Sequence, residues 1–306
     1  MRIVFAGTPE PAVPTLRTLA GGRHEIVAVV TRPDAQLGRR RVLTASPVAR
    51  SAAELGLPVV KTARLDADVT ERILELEPDL GVVVAYGALV REPLLSAPQH
   101  GWINLHFSLL PRWRGAAPVQ RAVMAGDRVT GAAVFDLVPQ LDAGDVYDSF
   151  EREIGADETS GDLLESLAVD GAELVRRVVD DIAAGTALAK PQVGSATLAP
   201  KLTIDDARLD LSDDAFSVYA RLRGVTPEPG AFFVVGENRV KVLAASRSGA
   251  APLAPGELVL NGSRALIGTG TAPLELVTVQ PAGKRAMSGA DWMRGLASGM
   301  RAEVSA

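Results

Sequence analysis

The stretch Arg2-Ile-Val-Phe-Ala6 has the apolar pattern of a buried strand, and the residues that follow it indicate the fold. A Gly7-Thr8-Pro9 turn and a helical pattern through Leu19 lead to a second apolar run, Glu25-Ile-Val-Ala-Val-Val30. The alternation continues with strand patterns at 59–60, 80–85, 102–105, 131–137 and 146–147 and helical patterns at 46–55, 66–76 and 159–184. Strands separated by helices of this length are typical of βαβ units. We therefore predict an α/β domain with a Rossmann-like, mostly parallel sheet.

The pattern changes after Ala184. Residues 185–205 carry Gly, Pro, Ser and Thr without sustained periodicity, which favours a linker. Beyond it, Gly, Asn and Pro turns separate short strand patterns at 231–235, 240–244, 256–260, 265–268 and 274–279. Such spacing favours a small β-barrel. We predict a catalytic domain over 1–184, a linker over 185–205 and a second domain over 206–306.

Composition excludes several classes of protein. The chain has 306 residues, no Cys, three His and a formal net charge of −5. Without Cys there is no disulfide scaffold, thiolate zinc site or Cys nucleophile, and we expect no metal. The longest uncharged apolar run is about half of what a membrane span needs, and the apolar run at the start is too short for a signal peptide, so we expect a cytoplasmic protein. The acidic total argues against a nucleic-acid partner, although binding depends on where the charges lie.

The first turn bears on dinucleotide binding. A strand followed by Gly7 and a helix is typical of a dinucleotide-binding fold, but Pro9 and Pro11 stand where further glycines are needed for a pyrophosphate to approach the backbone. We therefore interpret Gly7-Thr8-Pro9 as a strand-to-helix turn at the edge of the sheet.

Asn104 and His106 are the first candidate catalytic residues. In a strand they point to the same side, and the carboxyl end of a parallel strand is where α/β sheets bind ligands. An Asn amide can donate to a developing oxyanion, and His can donate, accept or carry charge near neutral pH. The alternative is a structural His beside a turn.

Charged residues follow on two loops. Arg112 and Arg114 lie in a turn-rich segment directly after this strand, where two cations suit an anionic ligand or are ordinary surface. Asp142 precedes Gly144 in a later turn, and a carboxylate near a His can orient it or carry protons. By itself an Asp in such a turn is more often only a turn residue.

Together these residues resemble the 10-formyltetrahydrofolate-dependent formyltransferases. The resemblance rests on Asn104-Leu-His106-x-Ser108-Leu-Leu-Pro111-x-x-Arg114-Gly115, on Leu141-Asp142-x-Gly144, and on FAGTPE, TRPDAQLGRRR, VVVAYGALV, APKLTIDDARLDLS, RLRGVTPEPGAFF and QPAGKRAMSGADWMRG. It covers nearly the whole chain. It implies an enzyme of translation initiation that passes a formyl group from 10-formyltetrahydrofolate to the amino group of methionine on initiator tRNA.

The resemblance also implies site residues. Asn104, His106 and Asp142 align with the family's catalytic residues: Asn104 and protonated His106 would stabilise the oxyanion, and Asp142 would charge His106 and accept the amine proton. The residues implied in folate binding are Val83, Ala85, Tyr86, Gly87, Leu89, Ser108, Leu109, Leu110 and Pro111.

A basic loop is implied in tRNA binding. Residues 32–50 contain five Arg and one Asp, a local charge of 5 − 1 = +4. The residues implied to contact tRNA are Arg39, Arg40, Arg41, Arg112 and Arg114. The second domain resembles the family's OB-like barrel, which helps to hold the tRNA, and we expect a monomer.

Two other functions stay open at this point. A formyltransferase or hydrolase of the same fold could act on another acceptor, such as an amino sugar nucleotide or a purine precursor. A non-catalytic RNA-binding protein could use the same barrel. The Arg loop disfavours the first, and the Asn104, His106 and Asp142 set disfavours the second.

Overall fold

The computed structural model of the chain describes residues 1–38, 41–297 and 299–304. Arg39 and Arg40 of the basic loop therefore lie outside the described residues. The strands are β1 (Arg2–Gly7), β2 (Glu25–Thr31), β3 (Ala35–Leu37), β4 (Val42–Thr44), β5 (Val59–Lys61), β6 (Leu80–Val84), β7 (Trp102–His106), β8 (Val129–Asp136), β9 (Val146–Glu153), β10 (Phe232–Val235), β11 (Asn238–Arg247), β12 (Leu258–Asn261), β13 (Arg264–Ile267), β14 (Leu274–Pro281) and β15 (Met287–Ser288). The helices are α1 (Val13–Ala20), α2 (Pro47–Glu54), α3 (Ala67–Leu74), α4 (Pro118–Met124), α5 (Ser160–Ala184), α6 (Ala215–Gly224) and α7 (Gly289–Arg294), with short 3₁₀ helices at Glu10–Ala12 and Asp205–Ala207.

One compact unit comprises residues 1–118, 130–152 and 164–199. Its seven-stranded sheet has the order β5-β2-β1-β6-β7-β8-β9. The pairs β2–β5, β1–β2, β1–β6 and β6–β7 are parallel, and β7–β8 is antiparallel. The predicted α/β class with a mostly parallel sheet is confirmed.

Local sequence explains where the elements of this unit begin. Ser46 caps α2 by accepting the Ala49 amide, and Asp66 caps α3 by accepting the Val69 amide. Strand β6 is buried along its whole length. It packs tightly on β7, because a Cβ on Gly81 would overlap the Trp102 ring. The two strands pair in parallel from Gly81 with Trp102 to Val83 with Asn104, so their carboxyl ends lie side by side.

The other compact unit comprises residues 119–129, 153–163 and 200–306. Its sheet has the order β10-β11-β14-β13-β12, with β15 paired to β14, and these neighbouring strands run antiparallel. The core includes Leu222, Phe233, Val240 and Trp292. Arg223 is also buried, and its guanidinium donates to the Gly155 and Glu158 carbonyls, so this cation belongs to the interior.

The contact-based units differ in their bounds from the sequence-based domains. Residues 185–199 of the predicted linker belong by their contacts to the first unit, and short segments around α4 and before α5 belong to the second. The sequence pattern did not indicate the β3–β4 hairpin or helices α4, α6 and α7. The hairpin strands have three residues each, and α4 and α7 have seven and six, which is too few to establish a period.

Among the described residues, none of the helices combines the length and the apolar character that crossing a membrane requires.

Candidate active site

A cavity of about 730 Å³ lies at the carboxyl ends of β6 and β7. It is lined by the three candidate catalytic residues, Asn104, His106 and Asp142, and by Val83, Ala85, Tyr86, Gly87 and Leu89 from the predicted folate site. Ala88, Val90, Phe107 and Gly115, which lie within the quoted motifs, also line it, as do Leu95 and Leu137, which the sequence did not single out. The lining is mostly apolar with a few polar groups, which is typical of a small-molecule site.

Strand β7 supplies Asn104 and His106. Asn104 pairs with Phe135 and His106 with Ala133 on the antiparallel neighbour β8. The His106 ring meets the Phe135 ring edge-on, with the centroids 6.2 Å apart. Oδ1 of Asn104 is buried and has no hydrogen-bond partner within the part of the chain that the structure describes. A buried, unpaired acceptor is costly, so this atom indicates a place for a donor on a ligand.

The backbone fixes the tautomer of His106. Its Nε2 atom lies 2.8 Å from the Trp113 carbonyl oxygen. Since a carbonyl only accepts, Nε2 carries a proton and donates it. The other ring nitrogen, Nδ1, is 3.8 Å from Oδ2 of Asp142, which is too long for a hydrogen bond. In the neutral ring, Nδ1 therefore holds a free lone pair next to a carboxylate.

Burial controls the charge of His106. Its side chain is 6% exposed. Burial lowers the pKa of His106 from its ordinary value of 6.5, and the nearby Asp142 charge and the Trp113 carbonyl oppose this effect without reversing it. The resting imidazole is therefore neutral near pH 7, and it becomes charged only when it receives a proton.

Asp142 is held by one backbone hydrogen bond and lies in a tight turn. Its carboxylate Oδ2 accepts the Gly115 amide at 2.7 Å, and its own φ of 45° is in the left-handed region. Two residues later, a Cβ on Gly144 would collide with the Asp136 carbonyl oxygen. Only glycine therefore fits at position 144, and its small size lets the Asp142 turn pack closely against the end of β8.

The segment Ser108–Pro111, also predicted to bind folate, follows the cavity-lining Phe107. It is not part of the described lining of the cavity. Ser108 is fully buried, and its hydroxyl donates to the Arg112 carbonyl at 2.6 Å. Its visible role is to shape the loop that follows β7.

The candidate tRNA-binding cations differ in their surroundings. Arg41 is exposed with a φ of 49°. Arg112 is exposed, with its guanidinium carbon 5.6 Å from the centre of the Trp113 ring. Arg114 is half-buried, and its Nε and Nη2 donate to Oε1 of Gln192 at 3.1 and 2.6 Å.

Gln192 is the neighbour of this site that sequence reasoning missed. It lies in an aperiodic segment, and a single Gln there carries no signal of spacing or residue type. Within the described residues, no group of three His, Cys, Asp or Glu side chains is arranged to hold a metal ion.

An amide, a neutral buried imidazole and a carboxylate around one cavity are the groups that an enzyme needs to stabilise an oxyanion and move a proton. The site thus defines an enzyme of the acyl-transfer type on an α/β fold. The comparisons identify it further: the chain belongs to the formyl transferase family. The family model "Formyl transferase" matches residues 1–179, and "Formyl transferase, C-terminal domain" matches residues 201–297.

Relatives and solved structures agree with this membership. The protein named methionyl-tRNA formyltransferase of Leifsonia xyli subsp. xyli is 60% identical over 96% of this chain and 97% of its own length. The protein of that name from Thermobifida fusca is 53% identical over 96% of each chain. The fold is similar to an N-formyltransferase from Helicobacter canadensis solved with folinic acid and dTDP-3-aminofucose, with a TM-score of 0.69, 15% identity and coverage of 90% of this chain and 98% of that one. It is also similar to methionyl-tRNA formyltransferase from Clostridium thermocellum, with a TM-score of 0.58, 14% identity and coverage of 82% and 95%.

The burial of neutral His106 predicts a pH dependence of stability. Because the pKa of His106 is lowered from 6.5 by folding, the unfolded state binds more protons just below that pH. We expect the wild type to lose up to about 1.4 kcal/mol of unfolding free energy per pH unit below about pH 6.5 through this group. Urea unfolding of wild type and His106→Gln at about pH 7.5 and about pH 5.5 measures it.

The variant should lose less stability on acidification than the wild type. His100→Gln, which changes a histidine outside the cavity lining, should retain the wild-type dependence. Identical acid sensitivity of His106→Gln and wild type would contradict a neutral resting imidazole.

Proposed function

We propose that this chain transfers the formyl group of 10-formyltetrahydrofolate to the amino group of methionine on initiator methionyl-tRNA. The observation that carries the proposal is the convergence of Asn104, His106 and Asp142 on one cavity. Support comes from the names of relatives that are 51–60% identical over nearly their whole length. Proteins of similar fold have been solved with folinic acid, tetrahydrofolic acid or 5-N-formyl-THF, which supports the choice of donor.

The cavity suits a flat, partly polar donor. We assign the pterin to the carboxyl end of β6, where Ala85, Tyr86 and Gly87 offer backbone groups between apolar side chains. Two buried polar atoms of the lining, Oδ1 of Asn104 and Oη of Tyr86, lack hydrogen-bond partners among the described residues. A ligand with N–H and carbonyl groups would satisfy them.

In the first step the neutral methionyl amine attacks the formyl carbon that is bonded to N10 of the folate. A new C–N bond forms, and the carbonyl electron pair moves onto oxygen to give an oxyanion. The amide N–H of Asn104 donates to this oxygen, a role worth several kcal/mol in comparable sites. Collapse of the oxyanion breaks the bond between the formyl carbon and N10.

A proton must leave the attacking amine and reach N10. The Nδ1 lone pair of His106 and the carboxylate of Asp142 are 3.8 Å apart and form the acceptor. We assign the first transfer to this pair and the return of the proton to N10 as the bond breaks. The imidazolium formed in this step lies beside the oxyanion and stabilises it. His106 can therefore fill the role that the family resemblance implies although its ring is neutral at rest.

We assign tRNA binding to the basic loop and to the second unit. The two edges of the sheet in the second unit are β10 and β12. Residues near the end of the chain bridge both edges, since Ala302 pairs with Val235 and Arg301 pairs with Glu257. These bridges support closure into an OB-like barrel, a fold that binds oligonucleotides on one face. We propose that the loop around Arg41 holds the acceptor end of tRNA, that the barrel helps to hold the tRNA, and that the enzyme acts as a monomer.

An amino sugar nucleotide is the alternative acceptor. The Helicobacter canadensis protein was solved with dTDP-3-aminofucose, but it is only 15% identical, so the likeness concerns the fold. One assay separates the acceptors: incubation with 10-formyltetrahydrofolate and methionyl initiator tRNA, followed by analysis for formylmethionine. Formylmethionine on tRNA is the expected product. Transfer to a sugar amine without any formylmethionine would contradict the proposal.

Removal of the oxyanion donor or of the proton carrier should reduce turnover. We expect Asn104→Ala and His106→Ala each to lower kcat by about 10²–10³-fold or more, because an oxyanion donor typically contributes that much. Single-turnover formylation of methionyl-tRNA with saturating donor measures the loss. Asn261→Ala and His100→Ala are matched controls at exposed and half-buried positions, and near-wild-type turnover of His106→Ala would contradict its role.

Removal of a cation from the basic loop should affect only the tRNA substrate. We expect Arg39→Leu to raise the KM for methionyl-tRNA about tenfold or more, since contacts of Arg with phosphates and bases are lost. Binding of the folate donor, measured by titration calorimetry, should stay within about twofold. Arg72→Leu, at an exposed position of α3, is the control. Equal losses for both substrates would mean that the loop is not a specific tRNA contact.

A further inference from the structure

Gln192 connects the turn that carries Asp142 to the loop that follows β7. Its Nε2 donates to the Asp142 carbonyl at 2.9 Å and to the Gly144 carbonyl at 2.8 Å. Its Oε1 accepts both Nε and Nη2 of Arg114. All hydrogen-bonding groups of the Gln192 amide are therefore used, in four bonds that join two loops of the site.

The segment around Gln192 is itself held at both ends. Lys190 exchanges two backbone hydrogen bonds with Val146 at 2.8 and 2.9 Å. On the other side, Arg114 donates its amide to the Thr197 carbonyl at 2.8 Å and accepts the Ala199 amide at 2.7 Å. The Gln192 side chain thus projects from a segment whose backbone is hydrogen-bonded to the first unit on both sides of it.

The turn needs this support. Asp142 has a φ of 45°, in the left-handed region that few non-glycine residues adopt, and its carbonyl accepts a hydrogen bond from the Gln192 side chain. The Asp142 carboxylate itself is held by the hydrogen bond from the Gly115 amide. If the turn relaxed, the carboxylate would move relative to His106, and a displacement of about 1 Å can cost about 10²-fold in rate.

We propose that Gln192 is a positioning residue for the formyl-transfer reaction: it locks the Asp142 turn to Arg114 and so fixes the Asp142 carboxylate relative to His106. This inference rests on the proposed function. It also gives Arg114 a role: its Nε and Nη2 hold Gln192, which in turn positions Asp142. It also gives residues 190–199 a role in the active site.

Two variants separate the halves of the bridge. Gln192→Ala removes all four hydrogen bonds, whereas Gln192→Glu keeps the acceptor for Arg114 and replaces the donor to the two carbonyls by an oxygen. We expect both to lower kcat by about 10–100-fold while the KM for each substrate stays within about twofold, because the lost contact acts on the reacting geometry. Gln99→Ala, an exposed glutamine of the same unit, should retain wild-type kinetics. Full kcat for folded Gln192→Glu would overturn the proposal.

A double-mutant cycle distinguishes positioning from general structural support. In an Asp142→Asn background the carboxylate is already gone, so Gln192→Ala should lower the remaining rate by less than about twofold. If the two losses multiply instead, Gln192 does not act through the Asp142 carboxylate, and the proposal fails.

A hydrogen-exchange measurement without substrate tests this inference independently of the proposed function. The Gly115 amide donates to the Asp142 carboxylate, so its hydrogen exchange, followed by NMR, reports whether the turn is held. We expect exchange at Gly115 to accelerate about tenfold or more in Gln192→Ala and Gln192→Glu and to be unchanged in Gln99→Ala. Unchanged exchange at Gly115 in both Gln192 variants would show that Gln192 does not hold the Asp142 turn and would overturn the proposal. Should the wild type form no formylmethionine, the proposed function fails, and this exchange experiment still decides whether Gln192 holds Asp142.

Discussion

The active site depends on the hydrogen bond from the Gly115 amide to the Asp142 carboxylate, which is 2.7 Å long. It joins the loop after β7 to the turn after β8, and these are the two segments that surround His106. The same loop supplies the Trp113 carbonyl that accepts the His106 Nε2 proton. Backbone groups of two residues in this loop, Trp113 and Gly115, therefore set the tautomer of the imidazole and the place of the carboxylate. Because backbone donors and acceptors have fixed directions, the site is organised before a substrate enters it.

In the proposed mechanism, this arrangement lets two ionisable groups carry a proton between two nitrogens. Burial keeps His106 neutral at rest, and the carboxylate 3.8 Å from Nδ1 favours the charged ring once a proton arrives. The two effects oppose each other, and the lowering of the pKa by burial is the larger. In our proposal Asn104 supplies the oxyanion donor from the same strand as His106, so one strand end sets both functions. The family comparisons, together with this geometry, are the basis for assigning formyl transfer to the cavity.

Sequence patterns predicted the first sheet well, because buried parallel strands read as continuous apolar runs separated by capped helices. The pleat also predicted that Asn104 and His106 point to one side, and both line the cavity. Other features depend on contacts between distant residues and leave no local pattern. In the sequence, Gly144 indicated only a turn, whereas the structure shows that the Asp136 carbonyl leaves no space for a Cβ at this position. Gln192 lies 50 residues from Asp142 in an irregular segment, and the bridging of two sheet edges by residues 301–302 becomes visible only in three dimensions.

The central claim is that His106 rests as a neutral imidazole with its proton on Nε2 and a free lone pair on Nδ1. The most direct test is ¹⁵N NMR of the histidine side chains near pH 7, with His106 assigned through the His106→Gln variant. We expect one protonated nitrogen, Nε2, and one unprotonated nitrogen, Nδ1, with clearly separated chemical shifts. An imidazolium with both nitrogens protonated, or a ring with its proton on Nδ1, would contradict the claim.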